Sequence, residues 1–190
     1  MITERALDTQ AQRVAGLLRH QGRKIVFAES CTGGLVAAKL TRIAGISEFL
    51  CGSAVVYQNA TKAGWLGVPP RFLEKPGPVS RTVAIAMAEG VLQRTPHADL
   101  AAAITGHLGP DAPKRLDGLI WASVAFRRTR RKSQAKVVAK KDRLPGEMDR
   151  QTASLRRTLR VGRQRAAANF LLAMVQSMLE EEEPPAIEQI

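Results

Sequence analysis

The chain has 190 residues, of which 45% are hydrophobic, and its formal net charge at pH 7 is +12. This length and apolar content fit a single folded domain, and no run of about 18 apolar residues is present to predict a membrane span. The polar amino terminus is not a secretory signal, and the two cysteines form neither a disulfide framework nor a zinc motif. We therefore expect a cytoplasmic protein that holds no metal and no cofactor.

Much of the positive charge lies in two stretches, residues 127–132 and 136–143. A basic stretch can bind nucleic acid, but none of the aromatic residues lies within these two, so a base-stacking surface is poorly supported. We expect a solvated hairpin here. A nucleic-acid-associated protein that uses residues 127–143 remains a less favoured alternative.

In the first half of the chain, apolar periodicity and capping residues predict helices that alternate with strands. The predicted elements are a helix from the Thr3 cap to about His20, a strand over 24–27, a helix from residue 35 that stops near Gly45, a strand over 49–57, and a short helix from an Asn59 cap to Gly67.

The second half continues the alternation and then places two strands in succession. Its predicted elements are a helix from the Ser80 cap to Arg94, a strand over 99–104, a surface loop over 107–117, strands over 118–126 and 134–139, and a long helix from 147 to about 180 with Gly162 as its candidate break point.

This order of elements predicts an α/β fold, namely a three-layer α/β/α sandwich with a mixed sheet. No internal repeat or second domain is evident in the sequence. We expect one domain over residues 1–183. The Glu-rich and Pro-rich end of the chain predicts a flexible tail over 184–190.

The seven residues 28–34, Ala-Glu-Ser-Cys-Thr-Gly-Gly, join the first strand to the second helix. A helix start leaves backbone N–H groups free and carries a partial positive charge, so this turn can hold an anion or a developing oxyanion. Ser30 then stands where a nucleophile or a binding hydroxyl would lie. Glu29 is expected either to orient Ser30 or to cap the nearby N–H groups.

Three segments that follow predicted strands carry polar side chains, at 29–34, 57–62 and 104–107. Ligands of open α/β sheets bind beyond the carboxyl ends of strands, so these segments are expected to converge on one site. Lys62 could take the proton of Ser30 directly or through Tyr57, which requires a lowered lysine pKa. The alternative is that Lys62 and Tyr57 are ordinary surface residues.

Two other residues could take part in catalysis. Cys31 is the rival nucleophile, because a helix start lowers a thiol pKa, although a small buried residue is the favoured interpretation. His107 follows a predicted strand end and could reach the site, although a loop histidine more often faces solvent. No group of His, Cys, Asp and Glu has the spacing of a metal site.

The run Glu29-Ser30-Cys31-Thr32-Gly33-Gly34, with supporting segments at 52–62, 66–68, 79–80, 87–90, 105–106 and 109–110, resembles the CinA C-terminal domain family. The resemblance is strong over residues 5–126 and weaker to about 180. Enzymes of this family are nicotinamide-nucleotide amidases. The resemblance therefore implies hydrolysis of nicotinamide mononucleotide to nicotinate mononucleotide and ammonia, without a metal, often by a homo-oligomer.

The same resemblance implies roles for individual residues. Ser30 would be the nucleophile, and Tyr57 and Lys62 would transfer protons. The backbone of the Thr-Gly-Gly turn would supply oxyanion or phosphate contacts. The substrate-binding residues implied are Glu29, Thr32, Gly33, Gly34, Asn59, Thr105 and Gly106.

The chain also departs from the family pattern. It lacks the separate N-terminal domain of longer members, so the resemblance implies a stand-alone amidase domain. The loop over 107–118 lacks the usual glycine-rich segment, which leaves the substrate open. Within this loop, Lys114 and Arg115 either meet a phosphate or are solvated. A non-catalytic nucleotide-binding relative that uses the same turn is a further alternative.

Overall fold

A computed structural model of the chain describes residues 2–110, 112–127, 136–146 and 153–182, without the side chains of residues 153, 154 and 156. The predicted tail over 184–190, the basic turn over 128–135 and the predicted helix start over 147–152 lie outside the described residues. In chain order, the elements are α1 (Glu4–Gln21), β1 (Ile25–Glu29), α2 (Leu35–Leu40), a 3₁₀ turn (Ile46–Glu48), β2 (Leu50–Val55), α3 (Asn59–Leu66), α4 (Pro70–Glu74), α5 (Arg81–Arg94), β3 (Leu100–Gly106), β4 (Leu119–Phe126), β5 (Val137–Arg143) and α6 (Ala153–Glu181).

The five strands form one mixed sheet in the order β2-β1-β3-β4-β5. β1 runs parallel to both β2 and β3, whereas β4 runs antiparallel to β3 and β5. Alternate side chains of β1 enter different cores, because Phe27 packs with α1, α2 and α6 while Ala28 packs with α3, α4 and α5. The predicted three-layer α/β/α sandwich is confirmed.

Side-chain caps fix the starts of two helices as predicted. Thr3 and Ser80 each accept the backbone N–H three residues further on, at 3.1 and 3.3 Å. The predicted cap at Asn59 is wrong by one position, because Gln58 is the capping residue and Asn59 is the first residue of α3. The carbonyl of Gln58 accepts the first intrahelical bond, from the N–H of Lys62 at 3.1 Å.

Two predicted boundaries near the end of the chain are also wrong. β5 covers Val137–Arg143 instead of 134–139, because it pairs along the length of β4 as far as Leu119. α6 continues through Gly162 without a break. Glycine costs a helix about 1 kcal/mol relative to alanine, and the buried position of Gly162 shows that packing outweighs this cost.

The basic stretches are only partly solvated. Lys140 and Lys141 are exposed, as expected for a solvated hairpin. Arg127 instead donates three hydrogen bonds to backbone carbonyls between residues 92 and 98, at 2.6 to 2.9 Å. Lys136 pairs with carboxylates at the end of α6, and Arg143 donates to two carbonyls of the 107–118 loop. None of the helices in the described ranges is long and apolar enough to cross a bilayer.

Candidate active site

A cavity of about 240 Å³ lies beyond the carboxyl ends of β1 and β3, beside the start of α3. β1 is the strand at which the chain order reverses, since its two parallel neighbours β2 and β3 lie on opposite sides, and ligands of α/β sheets bind at such switch points. The cavity brings together the three polar segments found in the sequence. Its lining residues are Ser30, Cys31, Tyr57, Asn59, Lys62, Pro78, Val79, Thr105, Gly106, His107, Leu108, Gly109, Pro110 and Arg160.

Ser30 follows directly after β1 and lies at the wall of this cavity, with 6% of its surface exposed. Its N–H donates to the carbonyl of Ile104 at 3.1 Å, and its own carbonyl accepts the N–H of Gly33 at 3.1 Å. The backbone of Ser30 is therefore held between β3 and the turn, which places its side chain at the cavity.

Lys62 is almost fully buried, with 2% of its surface exposed, and it lines the same cavity. Its Nζ donates to the backbone carbonyl of Tyr57 at 3.2 Å. Burial lowers the pKa of Lys62 from its usual 10.5, because a charged amine loses its hydration there. A lysine with a lowered pKa is able to act as a general base.

Tyr57 contacts an arginine that the sequence did not single out. The phenol of Tyr57 is 58% exposed, and its oxygen accepts a hydrogen bond from Nη2 of Arg160 at 2.8 Å. Nη1 of Arg160 donates to the carbonyl of Gly109. The amine of Lys62 thus reaches the carbonyl of Tyr57 and not its phenol, so this structure does not form the expected relay through the phenol.

Glu29 is fully buried and caps α2. One carboxylate oxygen accepts the N–H groups of Gly34 and Val36, at 3.1 and 3.0 Å, and the other accepts the N–H of Ala37 at 3.0 Å and the hydroxyl of Ser53 at 3.1 Å. The expectation that Glu29 caps nearby N–H groups is confirmed. The carboxylate of Glu29 accepts four hydrogen bonds from the protein and is not at the cavity wall, so these contacts give no support to its implied role in binding substrate, which stays a prediction.

The glycine turn also differs from its predicted role. The N–H of Gly34 bonds Glu29 and the N–H of Gly33 bonds the Ser30 carbonyl, so neither is available to an oxyanion or a phosphate. Both glycines have positive φ, at +64° and +94°, which explains their presence through backbone conformation. Thr32 is fully buried outside the cavity lining, and its carbonyl accepts from Nε2 of Gln164 at 2.7 Å.

Three other residues implied by the resemblance do line the cavity, namely Asn59, Thr105 and Gly106. The hydroxyl of Thr105 donates to the carbonyl of Pro78 at 2.9 Å and so ties the end of β3 to the loop before α5. Gly106 has no room for a side chain, since an added Cβ would lie 2.6 Å from Ile120. These contacts make this side of the cavity rigid.

The two remaining candidates also lie at the cavity. Burial raises the pKa of the Cys31 thiol to about 12, so this residue is a small buried thiol and a poor nucleophile. His107 lines the cavity instead of facing solvent, and burial lowers its pKa. Lys114 and Arg115 are exposed and do not line it. Within the described ranges, no three His, Cys, Asp or Glu side chains are grouped to hold a metal ion.

The fold and the cavity define an α/β protein with a small polar site at a switch point, which is lined by a serine and a buried lysine. The chain belongs to the CinA C-terminal domain family, whose model matches residues 7–161. This membership confirms the resemblance seen in the sequence.

Two relatives found by sequence are longer than this chain. A CinA-like protein from Desulfotalea psychrophila is 46% identical over 103 residues, which cover 54% of this chain and 25% of the relative. A CinA-like protein from Geobacter metallireducens is 42% identical over 145 residues, which cover 75% of this chain and 33% of the relative. The matched part thus spans about a quarter to a third of these relatives.

Solved structures share the fold over nearly their whole length. The competence/damage inducible protein CihA from Agrobacterium tumefaciens is 32% identical with a TM-score of 0.71, and the match covers 88% of this chain and 94% of that protein. The competence or damage-inducible protein from Enterobacter asburiae has a TM-score of 0.75 over 91% of this chain and 98% of that protein. At 23% identity, the second match supports the fold alone.

Proposed function

We propose that this chain is an amidohydrolase that converts nicotinamide mononucleotide to nicotinate mononucleotide and ammonia. The observation that carries the proposal is that Ser30 and the buried Lys62 line one cavity, and that burial lowers the pKa of this lysine. An acyl-transfer reaction needs this combination of a hydroxyl nucleophile and a neutral base.

The reaction has two halves. The neutral amine of Lys62 takes the proton of the Ser30 hydroxyl as Oγ bonds to the carboxamide carbon. The tetrahedral intermediate then collapses, and its C–N bond breaks as the ammonium of Lys62 gives its proton to the departing NH₂ group, which leaves as ammonia. Water attacks the resulting ester and gives a proton to the neutral Lys62. The C–Oγ bond then breaks and Lys62 returns this proton to Oγ, which frees the carboxylic acid and restores Ser30. General-base catalysis of this kind contributes about 10²–10⁴-fold to the rate.

The N–H groups of Gly33 and Gly34 are already bonded, so other donors meet the negative charge that develops on the acyl oxygen. Side-chain donors on the cavity wall that suit this task are Asn59 and His107. The phenol oxygen of Tyr57 accepts a hydrogen bond from Arg160, and its O–H can in turn donate a hydrogen bond to the substrate.

The charge of the cavity favours an anionic substrate. Beside the neutral base Lys62, the positive charge on its lining comes from the guanidinium of Arg160, and none of the described lining residues carries a carboxylate. Arginine is well suited to phosphate, because its planar group donates two parallel hydrogen bonds. A cavity of about 240 Å³ favours one small molecule over a polymer. A pyridine mononucleotide combines the required phosphate with a carboxamide.

The test is ammonia release from nicotinamide mononucleotide by the purified protein. Ser30→Ala and Lys62→Met should abolish release, whereas Cys31→Ala should keep it within a few-fold of wild type. Lys39→Met is the matched control, because Lys39 is equally buried but pairs with Glu4 and Asp8 away from the cavity. A folded wild type that releases no ammonia from any pyridine amide would contradict the proposal, as would full activity of the Lys62 variant.

One observation favours a second candidate, a nucleotide-binding relative without turnover. Glu29 occupies backbone donors that an acyl-transfer site would otherwise aim at the oxyanion. Calorimetry that detects binding of the mononucleotide by a protein that releases no ammonia would select this candidate.

A further inference from the structure

A single turn of α6 contacts three of the segments at or beside the cavity. Gln164 donates to the carbonyl of Thr32 in the turn after β1, at 2.7 Å. Arg160 donates to the phenol of Tyr57 and to the carbonyl of Gly109. Arg163, which lies between them, contacts the 107–118 loop from behind the cavity wall, since it is not among the lining residues.

The side chain of Arg163 is the largest fully buried one in the described part of the chain, with 2% of its surface exposed. All five of its N–H donors are used. Nε donates to Pro145 at 3.2 Å, Nη1 to the Leu108 carbonyl at 3.3 Å and to Asp117 Oδ1 at 2.6 Å, and Nη2 to Asp117 Oδ2 at 2.8 Å and to the Gly146 carbonyl. A buried charge persists in a fold only when it is paired and fully hydrogen-bonded, and this one is.

These bonds hold both ends of the cavity-wall loop. The carbonyl of Leu108 lies at the start of the wall formed by residues 108–110, and Asp117 lies near the end of the same loop. The base of the loop is anchored separately, because the His107 carbonyl accepts the N–H of Gly118 at 2.9 Å. The ion pair with Asp117 therefore fixes where the wall stands relative to α6.

The position of the wall in turn fixes Arg160. Its guanidinium lies one helical turn from Arg163 and bonds the carbonyl of Gly109, which is the middle residue of the wall. A wall that moves away from α6 takes this carbonyl with it. Arg160 then loses the contact that orients it toward the phenol of Tyr57.

We propose that Arg163, through its ion pair with Asp117, is a positioning residue that sets the 108–110 wall and the guanidinium of Arg160 to receive the anionic group of the ligand. Arg163 touches no ligand itself. The identity of the ligand rests on the proposed function, but the positioning of the wall does not.

The test compares Asp117→Asn with Asp8→Asn. Both changes keep the shape of the side chain and remove a carboxylate charge that pairs with a buried cation. Asp117 Oδ1 lies 2.6 Å from Nη1 of Arg163, and Asp8 Oδ1 lies 2.7 Å from Nζ of Lys39. Asp8 lies on α1 and does not line the cavity. Both variants should unfold at lower urea concentration than wild type, which makes Asp8→Asn the control for a purely structural effect.

Only Asp117→Asn should speed hydrogen exchange of the backbone amides over 107–118 under native conditions. The same variant should weaken binding of nicotinamide mononucleotide, followed by calorimetry, at least about tenfold, as for one lost charge-assisted hydrogen bond. In the turnover assay it should raise KM with kcat nearly unchanged. Arg163→Lys should show the same changes in exchange, binding and KM, because a lysine ammonium cannot donate the two parallel hydrogen bonds that the guanidinium donates to Asp117.

The proposal would be overturned if amide hydrogen exchange over 107–118 were unchanged in Asp117→Asn, or if it were accelerated equally in Asp8→Asn. The ion pair of Arg163 with Asp117 would then be a stabilising contact only. Wild-type affinity in Asp117→Asn would overturn it as well. The exchange measurement needs no ligand. A wild type that neither binds nor converts the mononucleotide would therefore contradict the proposed function, while the loop data would still decide the role of Arg163.

Discussion

The buried carboxylate of Glu29 allows a sharp test of how the turn before α2 is held. Glu29→Gln keeps the size and shape of the side chain but replaces one acceptor oxygen with an NH₂ group. The remaining oxygen can still accept two of the four hydrogen bonds. If the NH₂ group replaces the oxygen that bonds Ser53 and Ala37, the hydroxyl of Ser53 can rotate to accept from it, but the N–H of Ala37 then faces a donor. If it replaces the other oxygen, the N–H groups of Gly34 and Val36 face a donor.

The size of the effect follows from these four bonds. One buried N–H without an acceptor costs about 1–3 kcal/mol, and each of the two retained N–H bonds loses about 1 kcal/mol of charge assistance. Glu29→Gln should therefore lower the free energy of unfolding by about 3–5 kcal/mol, a large share of the ~5–15 kcal/mol that stabilises a typical domain.

Urea unfolding at pH 7, followed by circular dichroism, measures this difference. Glu89→Gln is the control, because Glu89 lies exposed on α5, and it should change stability by no more than about 0.5 kcal/mol. A loss smaller than about 1 kcal/mol in Glu29→Gln would refute the reasoning, since it would mean that the carboxylate does not hold the start of α2.

Three further predictions concern packing, charge and thiol chemistry. Gly90→Ala should cost about 3 kcal/mol in thermal or urea unfolding, because the new Cβ would lie 2.1 Å from the carbonyl oxygen of Leu66. Gly16→Ala, with no atom within 4 Å of its Cβ, should instead stabilise α1 by about 0.5–1 kcal/mol, and equal effects at the two sites would contradict the packing. Burial lowers the pKa of Lys62 below 10.5, so between the folded and the unfolded pKa the unfolded chain binds more protons than the folded one. The stability of wild type relative to Lys62→Met should therefore rise as pH increases from 7 toward 10.5. A stability difference that does not change with pH would contradict this. With a pKa of about 12, native Cys31 should resist iodoacetamide at pH 8 and react after unfolding in urea. The label is assigned by peptide mass because Cys51 is only partly buried, and rapid labelling of Cys31 in the folded protein would argue against a buried thiol.

Local patterns in the sequence were sufficient for most of the fold. Thr3 and Ser80 identify helix starts because their hydroxyls accept N–H groups only three residues away. The alternation of helices and strands predicts the layers, since each apolar face must be covered by a neighbouring element. The strand ends also predict that Ser30, Tyr57 and Lys62 line one cavity, because parallel strands bring their carboxyl ends to the same edge of the sheet.

Contacts between distant parts of the chain could not be predicted in this way. Arg160 and Arg163 lie in a helix with several other arginines, and no local signal separates the buried one from the exposed ones. Glu29 has a sequence context that fits either a ligand contact or a cap, and only the positions of the N–H groups decide between them. The catalytic roles of the cavity residues and the expected homo-oligomer stay predictions.

The dependence of the cavity on α6 has a consequence for how the protein is made. Every strand of the sheet precedes residue 144, but the contacts to Thr32, Tyr57 and the 107–118 loop come from residues 160–164. In the growing chain, all five strands are therefore synthesised before the helix turn that completes the cavity. Without α6, the sheet face that this helix covers would be bare and the cavity would lack Arg160.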